Sequence, residues 1–150
     1  MTPNRTNRES DLKASLTRLE QSLETPIVPG DLRRWCEDVL QAFLNAGYLY
    51  RREVEETHRQ LFDQLRHHDM ALAVRIEQMN ENDKKLLGVW NDLDTQIVRL
   101  CDAMLESEQH AAKISQRAED FADRALKLII DVRKHEAELL TWYLESLNRD

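Results

Sequence analysis

The chain has little of the material from which loops, nucleotide sites and membrane spans are built. Its 150 residues include three glycines, three prolines and two cysteines. No Gly-rich run exists, which excludes the common phosphate-binding loops. No apolar run approaches the about 18 residues that a membrane span requires. Cys36 and Cys101 lie far apart in the sequence and form no Cys-x-x-Cys motif, so we expect free thiols that fill the core in a reducing compartment.

Positive charge is outnumbered: 21 lysines and arginines stand against 28 aspartates and glutamates, which gives a formal net charge of -7. Binding to nucleic acid or to an anionic membrane surface needs clustered lysines and arginines, and both are disfavoured here. The first ten residues are polar and lack the apolar segment of a secretory signal. These features predict a cytoplasmic protein that binds neither nucleic acid nor membrane.

Helix-forming residues dominate the chain, and the strongest helical pattern covers residues 72–104. Two interleaved sets of positions recur there every seven residues, as expected of one buried helix face. The two sets are Leu72, Met79, Leu86, Leu93 and Leu100, and Ile76, Asp83, Trp90, Ile97 and Met104. Asp83 is the only polar member. A carboxylate in a buried seam destabilises the fold unless it is paired or bound to a metal.

Two further helices are predicted before this stretch. The first begins at Ser10 or Asp11, after a disordered tail over residues 1–9, and ends before the Pro- and Gly-containing loop at 25–30. Its narrow apolar stripe consists of Leu12, Leu16, Leu19 and Leu23. The second begins after Asp31, and its stripe, continued past Tyr50, reaches Glu53. We expect a break or irregular turn between His58 and Asp69, although no Gly or Pro marks it.

The last predicted helix begins near Ser107, where the chain is expected to reverse. Its buried positions again alternate by three and four: Ile114, Ala118, Phe121, Ala125, Leu128, Val132, His135, Leu139 and Trp142. His135 therefore occupies a core position, and Glu138 lies three residues further on the same side of the helix.

Four amphipathic helices predict an all-α fold, an antiparallel up-down four-helix bundle that forms a single domain over residues 10–150. Aromatic core residues such as Trp35, Trp90 and Phe121 favour a globular bundle, because coiled-coil dimers prefer aliphatic residues at these positions. The alternative is a coiled-coil oligomer that uses the first helix as its contact.

Polar residues on three inner faces are the candidate site. Glu53, Asp83 and His135, with Glu138 adjacent, are the types of residue that bind metals in bundle cores, and they suit iron, manganese or zinc. A metal-free network of ion pairs is the competing interpretation. His58 and the pair His67 and His68 fall in the ambiguous segment and are expected to be surface histidines. No residue is predicted to be catalytic.

The chain resembles the bacterial hemerythrin-like (HHE cation-binding) bundle proteins over roughly residues 32–147. The run at 75–87, which ends in Asp83-Lys84-Lys85-Leu86-Leu87, is similar to the family's third-helix run, where a Glu-His pair precedes the double leucine. The run at 128–140 is similar to the fourth-helix run, in which a His is followed by a ligand Glu. Residues 52–57 resemble the end of the first long bundle helix. The resemblance implies a four-helix bundle.

Several positions depart from the family pattern. Glu53 and Asp83 stand where the family has histidines, and only His135 is retained. The following ligand Glu is expected at the position of Leu139, and Glu138 is one residue away. An oxygen-bridged di-iron centre needs several imidazoles, so reversible oxygen binding is not expected.

These observations leave three hypotheses. The first is a non-enzymatic bundle without a cofactor that acts as a structural or regulatory interaction module, through a protein partner or self-association. The second is a protein with an altered, carboxylate-rich site that binds iron or another divalent metal for sensing or storage. The third is a coiled-coil scaffold.

Overall fold

The computed structural model describes residues 3–68, 72–106 and 111–147, and nearly all of this part of the chain is helical, with no strand. The all-α prediction is therefore confirmed. None of the described helices combines the length and the apolar character that a membrane crossing needs.

Within the described residues, one short loop at 25–28 precedes the 3₁₀ turn that leads into α2. The described elements are α1 (Pro3–Glu24), a 3₁₀ turn (Pro29–Asp31), α2 (Leu32–Arg52), a π-helix (Glu53–His58), α3 (Arg59–His68), α4 (Ala73–Glu106) and α5 (Ala111–Leu147). Since α2, the π-helix and α3 are contiguous, residues 32–68 form one long helical rod with a π segment inside it.

Helix α1 begins earlier than the sequence predicts. It starts at Pro3 rather than at Ser10 or Asp11. Residues 3–9 are therefore helical, whereas the sequence predicts a disordered tail there. Proline suits the first turn, where a backbone N–H has no intrahelical partner, and no glycine interrupts the following residues. At the other end the helix stops at Glu24, before the proline-containing loop, as predicted.

The expected break between His58 and Asp69 is not found at residues 59–68, which form α3. The irregularity lies earlier, in the π-helix, where the chain stays helical. Continued helix buries Leu61, Phe62 and Leu65, and this gain outweighs the weak helical pattern of the charged residues before them. The predicted helix start near Ser107 lies outside the described residues.

The helices pack as a closed set of neighbours. Helix α1 lies against α2 and α5, and α4 lies against the same two helices. At the centre the ring of Phe43 lies 4.8 Å from Trp90 and 5.4 Å from Phe121, measured between ring centroids. None of the ten seam positions predicted on α4 is exposed, so the heptad pattern is confirmed.

The buried apolar residues form two clusters rather than one. The larger cluster includes the aromatic centre and the leucines of α1. The smaller one joins α3 to the beginning of α4 and the last part of α5, and consists of Leu61, Phe62, Leu65, Ile76, Met79 and Leu139. The space between the two clusters contains the polar residues described next.

Candidate metal centre

A layer of buried polar side chains separates the two apolar clusters. It consists of Glu53 and His58 from the π-helix, Asp83 from α4 and His135 from α5, and we call these four residues the polar layer. Their exposed fractions lie between 1% and 4%. The layer crosses three helical rods, namely residues 32–68, α4 and α5. On each rod it lies between a residue of the larger cluster and a residue of the smaller one. These pairs are Tyr50 and Leu61, Trp90 and Met79, and Val132 and Leu139.

The π-helix explains how Glu53 and His58 both reach this layer. Two side chains five residues apart on an α-helix point in directions roughly 140° apart, because each residue adds a rotation of about 100°. A π-helix closes its hydrogen bonds five residues apart, which brings such a pair onto nearly the same face. The sequence Glu53–His58 adopts this geometry, and both ends of it are buried. Single π turns inside α-helices are frequent at functional sites.

Asp83 is the centre of the contacts. Both of its carboxylate oxygens lie 3.0 Å from Nδ1 of His58, and Oδ1 lies 2.6 Å from Nε2 of His135. The hydroxyl of Tyr50 donates a longer hydrogen bond of 3.4 Å to Oδ1. Three helical rods therefore meet at one carboxylate group.

A second set of contacts surrounds the other side of the His58 ring. Nε2 of His58 lies 2.6 Å from Oε1 of Glu136, whose side chain is 26% exposed. The hydroxyl of Thr57 donates to Oε2 of Glu53 over 3.3 Å. Because its side chain is partly exposed, Glu136 connects the buried layer to solvent on the α5 side.

Electrostatics follow from these distances. Burial by itself lowers the pKa of His58, but the hydrogen bonds to Asp83 and Glu136 and their negative charges outweigh it and raise the pKa to about 10. Burial raises the pKa of Asp83, yet the hydrogen bonds with His135 and His58 lower it overall. Burial and the charge of Asp83 raise the pKa of Tyr50, which remains a neutral donor. Without a metal, His58 is therefore an imidazolium at neutral pH and Asp83 is ionised.

The structure brings together three of the four residues proposed from the sequence. Glu53, Asp83 and His135 belong to the polar layer. Glu138 does not: it lines a surface cleft of about 310 Å³ together with Lys134 and His135, and it belongs to neither of the buried donor groups. Glu136 is the α5 carboxylate that reaches the layer, because the π-helix places His58 on the side of α5 to which Glu136 points.

His58 is the main residue that sequence reasoning missed. It was expected to be a surface histidine, whereas its side chain is among the most buried in the described chain. The apolar residues that follow contain a signal that could have identified it. Leu61 and Phe62 lie four residues after Thr57 and His58, and residues four apart share a helix face. Thr57 and His58 are indeed buried. The neighbouring His67 is exposed, as expected, and the side chain of His68 lies outside the described residues.

Two overlapping groups of donors result. His58, Asp83 and His135 form one group, and Glu53, His58 and Glu136 form the other. Within each group the possible ligand atoms lie within 4.8 Å of one another. Two ligands on one ion with bonds of about 2.0–2.2 Å are at most about 4.4 Å apart, so small side-chain rotations suffice for coordination.

The first donor group fits a mononuclear ion better than an oxygen-bridged di-iron pair. Two imidazoles and one carboxylate are a donor set that suits iron, manganese and zinc. One feature departs from the usual pattern of a metal site: Nδ1 of His135 is buried without a hydrogen-bond partner in the described part of the chain, whereas the outer nitrogen of a ligand histidine is usually paired. A di-iron pair of the hemerythrin type needs more imidazoles than the two present in the polar layer.

A comparison of the chain with protein-family models, with curated proteins and with solved structures finds no match. The resemblance to hemerythrin-like proteins therefore rests on the residues quoted from the sequence.

Proposed function

We propose that this chain binds one divalent transition-metal ion in the polar layer, with His58, Asp83 and His135 as its ligands. The observation that carries the proposal is the convergence of two imidazoles and a carboxylate from three helical rods, all buried between apolar clusters. Isolated buried charges are unfavourable, and binding a metal is one of the two usual ways in which proteins stabilise them. Iron, manganese and zinc are the candidate ions.

We propose further that the helices form an antiparallel four-helix bundle, as in the hemerythrin-like proteins. The neighbour relations support this arrangement, since α1 and α4 each lie against both α2 and α5. The leucine stripe of α1 is buried within the chain's own core. This intramolecular packing of α1 argues against a coiled-coil oligomer that uses the first helix as its contact.

Glu136 and Glu53 have supporting roles in this proposal. Glu136 contacts His58 through the ring nitrogen opposite to the one that faces Asp83, so it orients the imidazole. Its partial exposure also provides a route by which ions and protons reach the layer. A bound ion supplies a Lewis-acid centre, and iron would add redox activity. The proposed role is metal binding for sensing or storage, without catalysis.

Elemental analysis tests the proposal on protein purified without chelators or a histidine tag, followed by titration of the metal-free protein with Co²⁺. We expect one ion per chain and a visible Co²⁺ spectrum with imidazole ligation. Asp83→Leu and His135→Gln should abolish both. His67→Gln removes an exposed histidine and Glu138→Gln removes a carboxylate outside the polar layer, so both controls should behave as wild type. Circular dichroism verifies that each variant is folded.

The alternative function is a metal-free structural or regulatory interaction module. One observation favours it: Asp83 already has hydrogen-bond partners on His58, His135 and Tyr50 without any ion. Under this alternative neither wild type nor Asp83→Leu retains a stoichiometric metal, and no Co²⁺ spectrum develops. That result would overturn the metal-binding proposal.

A further inference from the structure

The two cysteines of the chain meet in the folded structure. They are 65 positions apart in sequence, on α2 and α4, and the thiol of Cys101 lies 3.5 Å from the carbonyl oxygen of Cys36. The two thiol groups are also close enough for each to shift the pKa of the other. The chain contains no other cysteine.

The two sulfurs differ in their access to solvent. Cys36 is 1% exposed, whereas Cys101 is half-buried at the edge of the α2–α4 interface. A small oxidant can therefore reach Cys101 first, while Cys36 is shielded behind it. This asymmetry between an accessible thiol and a neighbouring protected thiol is typical of cysteine pairs that react with peroxides.

We propose that Cys36 and Cys101 form a reversible intramolecular disulfide when the protein meets hydrogen peroxide or a small organic hydroperoxide. The thiolate of Cys101 attacks the terminal peroxide oxygen and the O–O bond breaks. The leaving group takes up a proton and becomes water from hydrogen peroxide, or an alcohol from an organic hydroperoxide. The product is the sulfenic acid of Cys101. The sulfur of Cys36 then attacks the Cys101 sulfur, the S–OH bond breaks, and hydroxide leaves as a second water with the Cys36 proton. In sum, two thiols and one hydrogen peroxide give one disulfide and two waters.

The interaction between the two thiols also supports this order of reaction. It lowers the pKa of Cys101 and raises the pKa of Cys36, against an opposing influence on Cys101 from burial and from the charges of Asp102 and Glu37. The thiolate is the reactive form of cysteine, so the more accessible sulfur is also the better nucleophile. A dithiol reductant reverses the reaction by thiol–disulfide exchange.

The disulfide would join α2 to α4, the two helices that carry the hydrogen-bonded pair Tyr50 and Asp83 at the polar layer. Covalent closure there limits how far the two helices can separate. A disulfide requires Cα atoms within about 7 Å, so the reaction itself reports the close approach of α2 and α4.

The test uses the metal-free full-length protein, because bound iron would generate radicals from peroxide. Hydrogen peroxide is added, free thiols are counted after denaturation, and the intact mass is measured. We expect loss of both thiols, a mass lower by two hydrogen atoms, restoration by dithiothreitol, and a rate independent of protein concentration. Peptide mapping should recover a peptide that links Cys36 to Cys101.

Single variants separate the two roles. In Cys36→Ala, Cys101 should stop at the sulfenic acid and be trapped by dimedone, whereas in Cys101→Ala the buried Cys36 should react much more slowly. The proposal is overturned if wild type keeps both thiols, forms only covalent dimers, or accumulates over-oxidised Cys101 while Cys36 remains free. The measurements on wild type decide the question even if a variant fails to fold.

Discussion

Replacing Asp83 with asparagine preserves the shape of the side chain and removes its charge at the centre of the polar layer. Asp83 accepts contacts from His58, His135 and Tyr50, and its exposed fraction is only 2%. Asparagine keeps one acceptor oxygen but presents an NH₂ group where the second oxygen faces His58. The imidazolium of His58 then retains only Glu136 as its ionised partner.

The magnitude follows from the loss of one partner of a buried ion pair. Such losses lower the free energy of unfolding by about 3–5 kcal/mol. Because Glu136 still pairs with His58, we expect the lower end, about 3 kcal/mol. With a urea m-value of about 2 kcal/mol per M, the midpoint of unfolding falls by about 1.5 M.

The matched control is Asp94→Asn on the same helix. Asp94 pairs with Arg51 over 2.5 Å, but the two side chains are 24% and 33% exposed, so the expected loss is about 1 kcal/mol or less. Urea denaturation of metal-free protein, followed by circular dichroism, compares the three proteins. If Asp83→Asn loses no more stability than Asp94→Asn, the buried charge network described here is wrong.

The same assay measures metal binding as stabilisation. At a free Zn²⁺ concentration of about 100 times the dissociation constant, wild type should gain about 2.7 kcal/mol of stability. Asp83→Asn should gain much less, because a neutral amide is a weaker ligand than a carboxylate. An equal gain in both proteins would place the ion elsewhere.

Two further pairs of variants test the packing, each by urea denaturation. A Cβ at Gly47 would lie 3.2 Å from the Trp90 ring, and crowding of about 1–3 kcal/mol there offsets the gain of about 0.5–1 kcal/mol from replacing glycine in a helix. Gly47→Ala should therefore be less stable than Gly88→Ala, which has open space around its Cβ and should stabilise by about 0.5–1 kcal/mol. If Gly47→Ala were the more stable of the two variants, the close approach of α2 to Trp90 would be contradicted. Leu16→Ala should lower the free energy of unfolding by about 2–5 kcal/mol because Leu16 is buried in the core. Leu44→Ala, at an exposed position, should change it by at most about 0.5 kcal/mol. Equal effects would mean that α1 does not pack on its own chain.

Periodicity predicted most of the fold because the core forms from regularly spaced apolar faces. The seam on α4 and the buried positions on α5 are where the sequence puts them, including the inward-facing Asp83 and His135. These residues could be placed because each helix remains α-helical through the site, so that spacing in sequence fixes the face on which a residue lies.

The rod from α2 to α3 could not be predicted in the same way. There the π-helix changes the rotation per residue, so a count based on α-helical geometry assigned His58 to the surface and proposed a break after it. The choice between Glu136 and Glu138 depended on where His58 projects, and one helix read alone contains no information on that.

By itself, the sequence determined the helical class, the apolar faces and the presence of carboxylate and imidazole groups on them, because these depend on local spacing and on the drive to bury apolar surface. Only the tertiary structure decided which polar groups meet, that His58 completes the cluster around Asp83, and that Cys36 faces Cys101. Those pairings join residues from 25 to 78 positions apart, and they depend on the rotation and height of whole helices relative to one another.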